Sequence, residues 1–335
     1  MNTNVVFPIA AVGIATTDRE GNFLDVLYTD ILQTVSTEHE FFNIIKREEF
    51  VGQTGLIISE EIFQVLHHNK DYKSQLAPNK KYIAIHISKD EEIKTTECAY
   101  LKLHLLSLLI SKPNSLNLDG LFNALPNNAW TNHGPVRLSE LSERMISSFA
   151  CDKPLKVFSI DRFPRMTDYV VPADVRIADA ARVRLGAYLA PGTTVMHEGF
   201  INFNAGTLGP CMIEGRISAG VTIDAHSDIG GGASTMGTLS GGNSVKISLG
   251  KRSLIGANAG LGIPLGDDCT LEAGLYLTAG TKVNLLLKGE EKIIKASELA
   301  GSNNLLFRRN SISGAVEAIR NKKSIELNKD LHSNS

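Results

Sequence analysis

The sequence has no surplus of charge: thirty-four basic side chains stand against thirty-six acidic ones, a formal net charge of −2. That balance gives no whole-protein field to hold a nucleic-acid backbone or an anionic membrane, so any bound anion must be met by a local cluster. Cysteine is also scarce. Cys98, Cys151, Cys211 and Cys269 lie dozens of residues apart with no CxxC or Cys/His spacing, which argues against a disulfide framework and a structural zinc site and fits reduced thiols. There is no long hydrophobic run either. The most apolar stretch, residues 101–110, is half a membrane span and contains Lys102 and His104. The opening MNTNVVFPIAAVGIATTDRE lacks the basic n-region of a signal peptide. The expectation is a cytoplasmic protein, neither secreted nor membrane-inserted, with no nucleic-acid partner.

At 335 residues, 43% hydrophobic and 21% charged, the chain has the apolar material for real cores and exceeds what one core holds, so two or three packing units are expected. Glycine marks the division. Twenty of the twenty-nine fall in residues 171–283, about 18% of that block against about 4% elsewhere. Up to residue 166 the text reads as a mixed α/β domain. Residues 5–16, 81–88 and 157–160 have the β-branched character of strands, and residues 97–111 and 138–149 place leucine and isoleucine at helical spacings. Residues 113–128 read as a loop.

The glycine-rich block follows a period of six. Ile177, Val183, Leu189, Val195 and Ile201 are spaced six apart; past Thr207 the phase continues at Ile213 and Ala219, and it returns at Ile223 and Ile229, at Leu249, Ile255 and Leu261, and at Leu265, Leu271, Leu277 and Val283. Neither a helix nor an alternating strand produces this series, whereas a hexapeptide-repeat parallel β-helix does, with one aliphatic side chain inward per short strand and glycine, asparagine or aspartate at the corners. Stacked rungs satisfy one another's backbone groups, so an aromatic-poor interior suffices. Residues 236–245 break the phase and read as a protruding loop. The expected organisation is an α/β domain over 1–166, a β-helix over 171–283 and a C-terminal segment over 284–335, with a helix at 314–321 and a frayed end.

The block MHEGFINFNAGTLGPCMIEGRISAGVTIDAHSDIGGGASTMGTLSGG resembles the tetrahydrodipicolinate N-succinyltransferases of bacterial lysine and diaminopimelate biosynthesis, and the similarity continues through GKRSLIGANAGLGIPLGDDCTLEAGLYLTAGT and NNLLFRRNSISGAVE. It covers roughly residues 171–317 and matches the branch with the larger N-terminal domain. The resemblance implies a left-handed β-helix, against the usual right-handed crossover, assembled as a homotrimer with active sites between subunits. It implies as reaction that succinyl-CoA, tetrahydrodipicolinate and water give CoA and N-succinyl-2-amino-6-oxopimelate.

Acyl transfer from a thioester needs a carboxylate or imidazole to take a proton or to attack, and donors for the oxyanion. Glu214 matches the family's catalytic glutamate, as nucleophile forming a mixed anhydride or as general base. Arg216, two residues on, is expected on the same face of an extended strand, where its guanidinium can hold a carboxylate or pair with Glu214. Gly231 and Ser234 match positions that meet the acyl donor, and Ala257, Glu272, Ala273 and Gly280 match the groove for the CoA arm. Lys295, Arg308 and Arg309, with Asn310 and Ser311, supply cations and donors for the nucleotide end. The family also implies magnesium, held near the trimer axis by an aspartate and a glutamate; the glutamate matches Glu198, but the aspartate position holds Ala181, with Asp179 two residues away. His197 and His226 read as surface or interface residues and not zinc ligands. The alternatives are a hexapeptide acyltransferase with another donor or amine acceptor, and a non-catalytic trimeric β-helix scaffold. Arg216 speaks against acetyl-CoA as donor, and the RRNS cluster against a bare scaffold.

Overall fold

A computed structural model describes residues 7–33, 40–46, 49–67, 75–237, 245–287 and 290–321. The chain forms two compact units, Met1–Leu105 with Ser115–Pro164, and Leu106–Asn114 with Arg165–Ser335. The terminal residues 1–6 and 322–335, and most of the expected loop at 236–245, lie outside the described residues.

The first unit contains a four-stranded antiparallel sheet in which Ile9–Thr17 lies between Phe23–Gln33 and Lys80–Ile87, with Leu56–Ile57 at the far edge. The strand expected at 81–88 is thus present, and the one expected at 5–16 is described from Ile9. Phe23–Gln33 lacked a sequence signal because its charged and polar residues break the alternation. Val12, Phe41, Phe63, Tyr82 and Ala84 form the core on one side. Thr96–Ser107 is the helix expected at 97–111, shortened at its C-terminal end. Lys102 and His104, the polar residues that interrupt its apolar run, are fully buried and paired. The Lys102 ammonium donates to the Asp90 carboxylate and to the Glu91 and Asn117 carbonyls at 2.6–2.7 Å. Burial pushes the His104 imidazole down to about 4, so it is neutral, with Nδ1 2.7 Å from the Tyr100 carbonyl. A second, three-stranded antiparallel sheet sets Asn128–Thr131 between Gly134–Arg137 and Val157–Asp161. Leu138–Ala150 is the other expected helix. The stretch expected as a loop at 113–128 contains one helical turn, Leu121–Ala124.

The second unit is a parallel β-helix of two- and three-residue strands on three faces. On the first face Ile177, Val195, Ile213, Ile229, Ile255 and Leu271 stack in register; on the second, Ile201, Ile217, Thr235, Leu261 and Leu277; on the third, Leu189, Thr207, Ile223 and Leu249. Apart from Ile177, all are at most 1% exposed. One expected phase is corrected. Ala219 is not the inward residue after Ile213: the step there is four residues long and Ile217 fills the column, after which Ile223 resumes the six.

The C-terminal segment also departs from expectation. Of residues 284–295, those described lie in an antiparallel pair of strands, Lys282–Leu287 with Glu290–Lys295. The expected helix at 314–321 is instead the strand Val316–Arg320, which pairs in parallel with Lys282–Leu287 and antiparallel with Leu305–Arg309. Those ladders, one within a local hairpin and one to a distant strand, satisfy its backbone and override a local helical reading. Not all corners need glycine: Asn204, His226 and Asn258 take the left-handed conformation, at φ of 54°, 61° and 57°. His226 is therefore a corner residue. Among the described residues no helix is long and apolar enough to cross a membrane.

Candidate active site

The strand Cys211–Ile213 ends before Glu214, and the chain turns through Gly215 before Arg216–Ile217 begins on the second face. The same corner recurs on each following rung. Glu214 N–H donates to the Ile229 carbonyl, Gly230 to Ile255, Gly256 to Leu271 and Glu272 to Phe307, all at 2.8–2.9 Å. Asn258 N–H bonds the Gly231 carbonyl and Gly274 N–H the Ala257 carbonyl, both at 2.9 Å. Glu214 and Gly231, with Ala257, Glu272 and Ala273 of the groove that the resemblance implies, therefore stand on one edge of the β-helix, about 4.8 Å apart per rung. The edge is tightly drawn at Gly256, where a Cβ would fall 2.4 Å from the Ala273 nitrogen. Gly231 is roomier: the nearest atom to its notional Cβ is Glu214 Oε2 at 3.4 Å. Glycine there leaves the carboxylate open on that side.

Because the chain turns at Gly215, Glu214 and Arg216 do not share a strand face, which corrects the expectation from their spacing. Arg216 does not pair with Glu214. Its Nε and one terminal nitrogen donate to Ser234 Oγ at 3.2 and 2.8 Å, so the Ser234 hydroxyl accepts from arginine and keeps its own hydrogen to donate. Both side chains belong to an outward column on the second face, in the order Phe200, Arg216, Ser234, Gly260, Tyr276. A cleft of about 580 Å³ lies over this column, with Gly215, Gly232 and Ala233 on the side of the Glu214 corner. Arg182 and Glu198 line its other end. The Arg182 guanidinium is held by the Glu198 and Gly199 carbonyls at 2.8 and 3.4 Å, and Arg182 and Arg184 stand 6.0 and 5.8 Å from the Phe200 ring centre.

At the upper end of the edge, the Arg309 N–H donates to the Glu272 carboxylate at 2.7 Å. The Arg308 guanidinium is ion-paired with Glu317 at 2.9 Å. The Asn310 amide, bonded to that carboxylate at 2.7 Å, holds it below the usual glutamate range, with Arg308 adding to the effect against burial. The RRNS cluster is thus less cationic than its sequence suggests: Arg308 serves the hairpin, whereas Arg309 spends its side chain on the Gly314 carbonyl at 2.9 Å. Ser311 lies exposed in the turn that follows. Gly280 is exposed in the turn before the strand Lys282–Leu287, and the exposed Lys295 lies opposite Lys282 in the pairing of that strand with Glu290–Lys295.

The cysteines offer no competing nucleophile in this unit. Cys211 and Cys269 are buried, and burial pushes the Cys211 thiol up to about 12. The residues at the implied magnesium site do not fit a metal within one chain. Ala181 has no ligating side-chain atom, the Asp179 carboxylate accepts the Ala181 N–H at 2.9 Å, and the exposed Glu198 carboxylate lies 3.2 Å from His197 Nδ1. Among the described residues no three His, Cys, Asp or Glu side chains converge.

Reading single motifs missed Arg182, Phe200 and Tyr276. The period held the signal for two of them: Phe200 and Tyr276 immediately precede the inward Ile201 and Leu277, as Arg216 and Ser234 precede Ile217 and Thr235.

Residues 13–123 match the family described as tetrahydrodipicolinate N-succinyltransferase N-terminal, residues 125–165 its middle region, and residues 246–279 the hexapeptide repeat of succinyl-transferase. The 2,3,4,5-tetrahydropyridine-2,6-dicarboxylate N-succinyltransferase of Pseudomonas putida is 50% identical over 99% of this chain and 100% of its own. The chain belongs to the tetrahydrodipicolinate N-succinyltransferase family. The Vibrio cholerae protein of the same name is 56% identical over 76% of this chain and 74% of its own. A Campylobacter jejuni crystal structure, described as a 2,3,4,5-tetrahydropyridine-2-carboxylate N-succinyltransferase, superposes with a TM-score of 0.80 at 31% identity, covering 94% of this chain and 93% of that one. Membership in an N-succinyltransferase family makes the protein an acyltransferase.

Proposed function

We infer that this enzyme transfers the succinyl group of succinyl-CoA to tetrahydrodipicolinate, giving CoA and N-succinyl-2-amino-6-oxopimelate in the succinylase route to diaminopimelate and lysine. The observation that carries the site assignment is the position of Glu214, at the corner where the small-residue edge meets the arginine-bearing cleft. A pantetheine arm laid along Ala257 and Ala273 brings its thioester down to Gly231 and Glu214, and the free succinyl carboxylate then turns onto the second face, where Arg216 and the Ser234 hydroxyl receive it. The nucleotide end meets Arg309, Asn310 and Ser311, with Lys295 and Gly280 beside the arm and Arg308 buttressing the hairpin.

Water opens the cyclic imine to the 2-amino-6-oxo form. Its amine nitrogen forms the new C–N bond at the thioester carbonyl, the C–S bond breaks, the thiolate leaves as CoA, and Glu214 removes the proton from nitrogen. If Glu214 instead attacks first, a mixed anhydride carries the succinyl group to the same amine. Incubating enzyme with succinyl-CoA alone separates the two: release of one thiol per subunit marks the nucleophile, and no release marks the base.

The assembly we propose is a homotrimer of left-handed β-helices in which a neighbouring subunit completes the open cleft, and light scattering then gives three times the 36.3 kDa chain mass. Donor preference tests the functional reading. Thiol release dependent on tetrahydrodipicolinate, and faster from succinyl-CoA than from acetyl-CoA, supports it; preference for acetyl-CoA overturns it in favour of another hexapeptide acyltransferase.

A further inference from the structure

Glycine in a strand often marks a place where another group approaches the backbone closely. Gly260 is such a residue. It opens the strand Gly260–Gly262, two residues past the corner at Asn258, and it faces outward in the column between Ser234 and Tyr276. A Cβ at this position would lie 2.2, 2.4 and 2.7 Å from Cδ1, Cε1 and Cγ of the Tyr276 ring. The ring therefore does not stand straight out from its own rung. It leans back one rung along the column and occupies the space that any other residue at 260 would fill.

This arrangement is not explained by core packing, since Tyr276 remains 55% exposed. The surface it presents is a wall of the cleft that holds Arg216 and Ser234. With the ring lying over Gly260, the open stretch of the column contains those two polar rungs, ended by Phe200 on one side and by Tyr276 on the other. One rung is about 4.8 Å, so the ring shortens the column by about that amount, several times the reach of one methylene.

We propose that Tyr276, seated on Gly260, is a specificity-determining residue that limits the length of the acyl chain carried by the donor. The inference rests on the reading of Arg216 and Ser234 as the receptors of the acyl carboxylate. A four-carbon diacid chain running from the Glu214 corner seats its carboxylate where the Arg216 guanidinium meets Ser234 Oγ, on the rung next to the ring over Gly260, whereas the added methylene of a five-carbon chain carries the carboxylate toward that ring. Removing the ring opens the next rung, and a Cβ at 260 expels the ring to similar effect.

The test compares kcat/KM for succinyl-CoA and glutaryl-CoA, followed by thiol release with tetrahydrodipicolinate, in the full-length protein and its variants. Tyr276→Ala is expected to raise the glutaryl-to-succinyl ratio by about tenfold or more, the scale of one methylene in a fitted pocket. Tyr276→Phe keeps the wild-type ratio, because the wall is the ring and not the hydroxyl. Gly260→Ala moves the ratio in the same direction as Tyr276→Ala, and the double variant adds little, as expected of two residues acting on one space. Tyr276→Leu serves where the alanine variant does not fold, with the ratio expected between those of Phe and Ala. A ratio within twofold of wild type in both Tyr276→Ala and Tyr276→Leu, in enzymes that still turn over succinyl-CoA, overturns the proposal and leaves the functional reading intact. A wild-type enzyme that fails to use succinyl-CoA overturns both.

Discussion

The two units treat charge in opposite ways. In the N-terminal unit, polar groups such as Lys102 and His104 are buried and satisfied: the ammonium has a carboxylate and two carbonyls, and the imidazole is neutral against a helix carbonyl. In the β-helix the interior columns are aliphatic or threonine, and the charged residues belong to corners and outward strand faces, where Arg216 is exposed and Asp228 is covered. Buried paired charge specifies a packing; charge held on a rigid outer column is available to a substrate. The difference teaches where to look for chemistry, and it predicts that perturbations of the two units affect different observables.

Among the residues that bind and do not react, the largest effect expected is that of Arg216. Arg216→Ala should lower kcat/KM for succinyl-CoA about 100-fold while lowering that for acetyl-CoA far less, since acetyl has no carboxylate to lose its partner. Equal losses with the two donors would return Arg216 to a structural role with Ser234.

In the other unit the expected effect is on stability and its pH dependence. The folded-state pKa of His104, lowered to about 4 by burial, lies below the ordinary histidine value of 6.5. The unfolded chain therefore takes up the proton first as the pH falls, so the contribution of His104 to stability is lost between about pH 6.5 and pH 4, to the extent of about 3 kcal/mol. Denaturant unfolding of wild type and His104→Gln between pH 7 and pH 4 checks this: the wild type should lose more stability over that window than the variant. Identical slopes would show that the imidazole is not the buried neutral group described.

These two predictions also mark how far the sequence could be read. The six-residue phase located the inward columns because each rung repeats one local demand, an aliphatic side chain facing a narrow interior. It slipped at Ala219 because a four-residue step looks like a continuation until the partner rung Phe200–Ile201 fixes Arg216–Ile217 beside it. Glu214, Gly231 and the groove residues Ala257, Glu272 and Ala273 follow from the family resemblance, but their alignment on one edge depends on hydrogen bonds between rungs sixteen or more residues apart. The strand Val316–Arg320 carries no local strand pattern either: one of its partners, Lys282–Leu287, lies more than thirty residues away, and the other is the adjacent strand Leu305–Arg309 of its own hairpin. Lys102 and His104 showed only that their helix was no membrane span, because what satisfies them comes largely from other segments.

A smaller effect separates the two arginines of the hairpin. Arg309→Ala should raise the KM for succinyl-CoA about tenfold with little change in kcat, as for a group that binds the nucleotide end and not the reacting carbon. Arg308→Ala, which frees the buried Glu317 from its partner, should register more in thermal stability than in KM. The reverse pattern would exchange their roles. The smallest effect expected is that of metal removal: prolonged treatment with EDTA should leave turnover within twofold, since Ala181 and the occupied Asp179 carboxylate leave one carboxylate per chain for the ion. A large loss restored by magnesium would show instead that one Glu198 carboxylate from each subunit of the proposed trimer suffices to hold a functional ion.

If the acyl group changes hands at the Glu214 corner, Glu214→Ala removes the group that carries out the transfer. Thiol release from succinyl-CoA in the presence of tetrahydrodipicolinate is then expected to fall by about 10²–10⁴-fold, while circular dichroism and the mass by light scattering stay those of the wild type. Turnover near the wild-type rate in that folded variant would contradict it.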